Sequence, residues 1–256
     1  MTGVTIPFQA CNIRLKVNGV NLLIIMAIIS FSGFSVLADT GANSDIFFRD
    51  GFDDLTNWEP LHFPEITEHT KYSVEREGDD AYLKAESHAS ASALVLKKEF
   101  NVYEFPKVRW RWKISNIFEK GDATRKSGDD YPLRVYIVFE YDQNNATFTE
   151  KIKYELAKKI YGEYPFQSCL SYIWANRRHD KRIITNAFAS ESKLVVLQTG
   201  NENAGLWVDQ EINIIKDYRK AFGERPPAIG RLAIMSDSDN TKESTVSYLD
   251  YIEVYR

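Results

Sequence analysis

Val108-Arg109-Trp110-Arg111-Trp112-Lys113-Ile114 alternates apolar and cationic side chains without interruption. A period of two is what a β-strand presents when one face lies in a core and the other in water. Val108, Trp110, Trp112 and Ile114 fall on one face, and Arg109, Arg111 and Lys113 on the other. Residues 133–139 form the next clear strand, and shorter runs at 72–74, 81–85, 93–100, 170–174, 193–199, 230–235 and 246–255 are bounded by turn-forming residues. Two helices are expected. Residues 149–160 are rich in Lys, Glu, Leu and Ala, with Gly162 to end the helix and Pro165 beyond; residues 210–222 are closed by Gly223 ahead of Pro226 and Pro227. In the second, Ile212, Ile215, Tyr218 and Phe222 recur at helical steps and make one apolar stripe. The pattern predicts a mainly β chain: an antiparallel, jelly-roll-like β-sandwich with two inserted α-helices.

The N-terminus reads differently. Arg14 and Lys16 precede an apolar run over 20–37 whose centre is Leu22-Leu23-Ile24-Ile25-Met26-Ala27-Ile28-Ile29, and small residues Val36 and Ala38 stand before Asp39. This is the layout of a signal peptide over residues 1–38, cleaved after Ala38, which sends the product to the periplasm or outside the cell. The competing reading is an uncleaved anchor, the one route to membrane contact; Asn21, Ser30, Ser32, Gly33 and Ser35 weaken it as a span. Cys11 precedes the apolar centre, so nothing marks a lipoprotein.

Of 256 residues, 256 − 38 = 218 remain after cleavage (39–256), expected to form a single β-sandwich domain. The leader holds two of the 32 Lys and Arg and no acid, so 30 basic and 36 acidic residues give the remainder a net charge of −6. That balance argues against a nucleic-acid partner, which would call for clustered cations. Cys169 is the one cysteine left, so no intramolecular disulfide can form, and in its apolar setting it reads as a small buried hydrophobe.

The segments Pro106-Lys107-Val108-Arg109-Trp110-Arg111-Trp112, Gly128-Asp129-Asp130-Tyr131-Pro132-Leu133-Arg134-Val135-Tyr136, Tyr172-Ile173-Trp174-Ala175-Asn176, Asp217-Tyr218-Arg219 with Phe222-Gly223 and Pro226-Pro227, and Ile234-Met235-Ser236-Asp237-Ser238-Asp239-Asn240-Thr241 occur in this order. Together they resemble a family of exported bacterial proteins known only as a domain of unknown function. The resemblance runs from about Phe47 to the C-terminus and implies a single-domain β-sandwich, but no reaction. That sandwich is similar to those of carbohydrate-binding modules and some glycan-active enzymes.

Two loops carry candidate chemistry. Residues 119–130, rich in Gly and Asp, join two strong strands and place Asp129 and Asp130 at a sheet end. Ser236-Asp237-Ser238-Asp239-Asn240-Thr241 follows another strand and offers oxygen ligands at alternate positions. Asp130 and Asp237 are the candidate acid and base of a glycan-cleaving site. Asp237, Asp239 and Asn240 are candidate Ca²⁺ ligands, although the downstream Gly and bidentate Glu of an EF-hand are missing. The plain alternative for both is a turn in which Asp bonds its own backbone.

Trp110 and Trp112, extended by Trp174 and Trp207, are a candidate platform for sugar rings or, alternatively, core filling. Arg109 and Arg111, with Lys113, recur at roughly 6.6 Å along one strand face. They either grip an anionic glycan or form a solvated row balanced by acids on the next strand. Asn176, with Arg177, Arg178 and His179, is a polar cluster read as a ligand contact or a turn. His62, His69, His88 and His179 show no ligand spacing, and zinc-protease, nucleophile-elbow, phosphate-loop and Cys-x-x-Cys motifs are absent.

These features lead to one expectation: an exported domain that binds a polysaccharide or envelope glycan without catalysis, with possible bound Ca²⁺. The alternatives are a glycan-cleaving enzyme using paired Asp carboxylates and an envelope protein–protein interaction module.

Overall fold

The structure, a computed structural model, describes residues 45–78, 80–141 and 166–256. The expected signal segment 1–38 and the expected helix 149–160 lie outside the described residues. Among the described residues no helix is long and apolar enough to cross a membrane.

Among the described residues there are thirteen strands: β1 Ile46–Asp50, β2 Trp58–Leu61, β3 Lys71–Glu77, β4 Asp80–His88, β5 Ala91–Asn101, β6 Lys107–Ile114, β7 Arg134–Phe139, β8 Ser168–Ala175, β9 Ile183–Thr185, β10 Ser192–Thr199, β11 Val208–Asn213, β12 Ile229–Asp237 and β13 Ser244–Tyr255. The single α-helix among the described residues, α1, spans Ile214–Phe222. A six-stranded sheet runs β11-β6-β13-β4-β3, with β1 also paired to β13. A seven-stranded sheet runs β2-β5-β12-β7-β8-β10-β9.

The sheets pack face to face through the alternation that β6 announces. Val108, Trp110, Trp112 and Ile114 are wholly buried, and Trp110 meets Tyr172 of β8 at 5.8 Å while Trp112 meets Trp174 at 5.7 Å. Leu249, Ile252 and Val254 of β13 share one core cluster with Val135, Ile137 and Phe139 of β7. Aromatic side chains of this size dominate core energetics and favour such edge-on contacts.

Two expectations are corrected. The sandwich is not wholly antiparallel, because β8 and β10 pair in parallel. Sixteen residues (176–191) separate them, and a connection of that length lets the chain return to run beside its predecessor in the same direction. In addition, residues 210–213, expected to start the second helix, belong to β11, since Val208 to Asn213 pair with Trp112 to Lys107. Asn213 then caps α1 by accepting from the Lys216 amide at 2.9 Å, and Gly223 ends it in the left-handed region at φ 80°. Ile214 and Tyr218 are the apolar residues α1 buries, with Tyr218 against Phe222 at 4.4 Å.

Candidate functional site

The loop before β7 and the turn after β12 meet at one end of the seven-stranded sheet. Asp130 is buried and holds the turn: Oδ1 accepts from Asn240 N at 3.3 Å and Asn240 Nδ2 at 2.9 Å, and Oδ2 accepts from Thr241 N at 2.6 Å. Asp237, at the end of β12, is clamped by Arg134 at the start of β7. Arg134 Nε donates to Oδ1 at 2.8 Å and Nη2 donates to Oδ2. Both side chains are almost fully buried, at 3% and 2% exposure, so this is an ion pair taken out of water. Arg134 Nη2 also donates to the Asp129 carbonyl at 3.1 Å, and Asn186 Nδ2 donates to Asp129 Oδ2 at 2.8 Å.

One carboxylate oxygen from each of Asp130, Asp237 and Asp239 lies within 4.8 Å of the other two. Burial pushes the Asp239 carboxyl up to about 6, with the neighbouring Asp130 charge adding to the effect. Burial also raises Asp129, against the opposing pull of Arg134. Phe63, Ile66, Phe188 and Met235 complete the wall of a small pocket around Asp129, Arg134, Asp237 and Asp239. A glycan-cleaving site needs two carboxyl groups flanking a bound sugar. Here Arg134 engages both oxygens of Asp237, and both oxygens of Asp130 are taken up by the turn that follows β12.

Asn176, expected as a ligand contact or a turn, is buried. It is a brace between loops, with Oδ1 accepting from Phe118 N at 2.8 Å and Nδ2 donating to the Asp130 carbonyl at 2.6 Å. It presses so closely on Gly121 that a Cβ there would fall 2.0 Å from Asn176 Nδ2. His62 and His69, scattered in the sequence, stack ring on ring at 3.9 Å.

The expected aromatic platform is rearranged. Trp110, Trp112 and Trp174 are wholly buried between the sheets and present nothing to a ligand. Trp207 lies instead on the outer face of the six-stranded sheet, beside the cationic row. Its ring meets Tyr82 at 5.7 Å and Tyr248 at 6.3 Å, and Lys113 Nζ sits 4.5 Å from the centroids of both Trp207 and Tyr248. Arg111 lies 5.6 Å over Trp207 and pairs with Asp250 at 3.4 Å. Arg109 pairs with Glu253 at 2.6 Å and covers Tyr255 at 4.9 Å. Each arginine on this row is therefore balanced by an acid of the neighbouring β13, and the row is no free grip for a polyanion. Tyr82 and Tyr248 were legible in principle: each sits between inward residues of its strand, Ala81 and Leu83 in one case and Ser247 and Leu249 in the other.

Fold and surfaces together define a mainly β, two-sheet sandwich with a buried carboxylate–arginine cluster at one sheet end and a half-exposed aromatic face on the other sheet. The chain belongs to the family described as protein of unknown function (DUF3047), whose model matches residues 56–253. No functionally curated protein matches it. Among solved structures it is similar to lectin I-B4 of Griffonia simplicifolia in its metal-free form, at 10% identity and a TM-score of 0.38 over 81% of this chain and 97% of that one. It is similar to endoglucanase 3 of family GH12 from Trichoderma harzianum at 8% identity and a TM-score of 0.37, over 78% of this chain and 97% of that one. The glycoside hydrolase domain Endo-D of Streptococcus pneumoniae R6 is similar at 11% identity and a TM-score of 0.31 over 77% of this chain, which spans 21% of that protein's length. Likeness at these levels carries no inference about activity.

Proposed function

We propose that the protein is an exported, non-catalytic glycan-binding sandwich that holds a polysaccharide strand on the outer face of its six-stranded sheet. The carrying observation is the Tyr82–Trp207–Tyr248 ring cluster, half-exposed and bordered by Arg111, Lys113 and Asp250. Sugar rings pack their C–H faces on such side chains while charged and amide groups bond the hydroxyls. Tyr248 and Tyr255 lie seven residues apart on β13, a run of roughly 23 Å at the usual strand rise, which suits an extended chain. Arg109–Glu253, Arg111–Asp250 and Lys84–Glu86 pairing leaves the face close to charge-balanced, which favours a neutral glycan over the anionic one. Lys113 covers the rings and has to swing aside, at a cost of about 0.5–1 kcal/mol in cation–π contact.

The test is retention of the purified protein on a panel of immobilised neutral and charged polysaccharides, with Trp207→Ala beside it. Retention on a neutral glycan that falls at least about tenfold in Trp207→Ala supports the reading. Absence of retention across the panel refutes it, and full retention in Trp207→Ala moves the site off this face.

A further inference from the structure

We propose that the basic face built by α1 with Arg182 and Lys193 docks on an anionic lipid bilayer. It shares no residue with the aromatic face, does not depend on that face binding glycan, and is a route to membrane contact that leaves residues 20–37 out. Lys216, Arg219 and Lys220 are exposed on α1 at three- and four-residue steps, while Ile214, Asp217 and Tyr218 are buried. Arg182, just ahead of β9, and Lys193 of β10 join them. Lys193 Nζ lies 5.5 Å from the centroid of Phe222 at the end of α1. Burial raises the Asp217 carboxyl against the opposing pull of Arg182, Lys220 and Lys216, which gathers those three cations around one buried acid. Arg225, 5.1 Å over the Tyr103 ring, continues the face past Gly223.

Pairing sets this face apart. Elsewhere Arg49 and Arg109 pair with Glu253, Arg76 with Asp53, Arg111 with Asp250 and Arg231 with Glu99. Among the described residues, Arg182, Lys193, Lys216, Arg219, Lys220 and Arg225 make no ion pair, and five of the six are exposed. The charge is segregated as well. Residues 177–193 and 214–225 hold nine Lys and Arg against four Asp and Glu, a net of +5, although residues 39–256 total −6, so the other residues of that span carry −11. Unmatched positive charge on one face of an acidic chain fits an anionic partner outside it.

The layout favours a plane of charge over a shaped ligand. The cations come from the loop before β9, from β10, from α1 and from the turn after it, on long stems that no carboxylate fixes, so they present a diffuse field and not a bidentate socket. Phe222 and Tyr103 give Lys193 and Arg225 apolar support and leave their charges available to headgroups. Clusters of roughly four to eight Lys and Arg on an amphipathic helix and its surroundings are what an anionic leaflet attracts, each cation near the surface raising partitioning about fivefold. Ile229, 46% exposed and four residues beyond Arg225, adds an apolar side chain of the kind that enters the headgroup boundary. At physiological salt the opposing negative charge is screened beyond about 8 Å, so docking by this face escapes most of its repulsion.

The experiment is co-sedimentation of the purified protein with vesicles of phosphatidylglycerol and phosphatidylcholine in equal parts, and with vesicles of phosphatidylcholine alone. The quantity read is the ratio of the two partition coefficients, so uptake through residues 20–37 cancels. The expected ratio is at least about 25 at low salt, the effect of two cations, and it falls toward 1 in about 0.5 M NaCl, a comparison that needs no variant. Lys216→Gln/Arg219→Gln/Lys220→Gln should lower the low-salt ratio about tenfold or more with an unchanged circular dichroism spectrum. Lys97→Gln/Lys98→Gln, on β5 toward the opposite edge of the seven-stranded sheet from β10, should leave it unchanged. A wild-type ratio near 1 at low salt overturns the proposal, as does a wild-type ratio in the triple variant or an equal fall in the β5 variant. Tighter binding to duplex DNA than to the phosphatidylglycerol vesicles at equal anionic charge also overturns it, because the face would then belong to a nucleic acid.

Discussion

Arg134→Met is the perturbation that most directly measures what holds the loop end together. The side chain is 3% exposed and makes two charge-assisted bonds to Asp237 and one bond to the Asp129 carbonyl. Methionine keeps most of the volume and removes the charge, so little of the effect is cavity formation. Asp237 is then left buried among Asp129, Asp130 and Asp239, with no cation in place of the guanidinium. Removing one partner of a buried pair costs about 3–5 kcal/mol. For a chain of this size each kcal/mol lowers Tm by about 2–4 °C, so the drop should lie between roughly 6 and 20 °C. Urea unfolding followed by tryptophan fluorescence reads the same quantity, because Trp110, Trp112 and Trp174 are buried in the core. Burial shields the pair from salt, so the loss should change little between low and high ionic strength. The double variant Arg134→Met/Asp237→Leu should recover part of the loss. A single-variant cost below about 1 kcal/mol, or a double variant no more stable than the single, would refute the claim that this ion pair organises the site.

Other expectations rest on equally local geometry. Asp239 contributes stability that is fully present below its unfolded value near 4 and is lost as pH rises through about 6, because the neutral carboxyl is the form burial favours; Asp239→Asn should therefore be more stable than wild type at pH 7.5, by up to about 3 kcal/mol, with the gap closing by pH 4 in denaturant titrations. Gly121→Ala should displace Asn176 and disturb its bonds to Phe118 and Asp130, for a loss of about 1–3 kcal/mol in thermal unfolding. Trp112→Ala removes a wholly buried ring that contacts Trp110 and Trp174 and should cost about 3–5 kcal/mol, whereas Trp207→Ala on the outer face should cost far less stability while losing glycan retention.

Strand content and the inward face of β6 were legible because alternation is a local property: Trp110 and Trp112 cannot share a face with Arg109 and Arg111 in any extended chain. The same local logic located the strands at 81–85 and 246–255, although the outward positions of Tyr82 and Tyr248 within them were not drawn from it. Turn chemistry marked Asp129, Asp130, Asp237 and Asp239 as loop residues, and Gly223 as a helix end. None of these signals reports which strand lies beside which. Residues 210–213 show a helical repeat of Ile212 with Ile215, yet pairing with β6 draws them into a strand, since a ladder of backbone bonds along an available edge outweighs weak local propensity. The parallel match of β8 with β10 was likewise invisible, because period two is the same for either direction.

What the sequence determined by itself is the β class, the face each β6 side chain takes and the loop character of the acidic segments, all consequences of stereochemistry within a few residues. Only tertiary structure decided the rest. It brought Asp130 and Asp237, 107 positions apart, to within 4.8 Å between carboxylate oxygens, set Arg134 between Asp237 and Asp129, and carried Trp207 to the outer sheet face, away from the other tryptophans. Those juxtapositions follow from strand order and from the closing of loops at one sheet end. They depend on which distant surfaces bury each other best, a sum over the whole core that no short window of the chain contains.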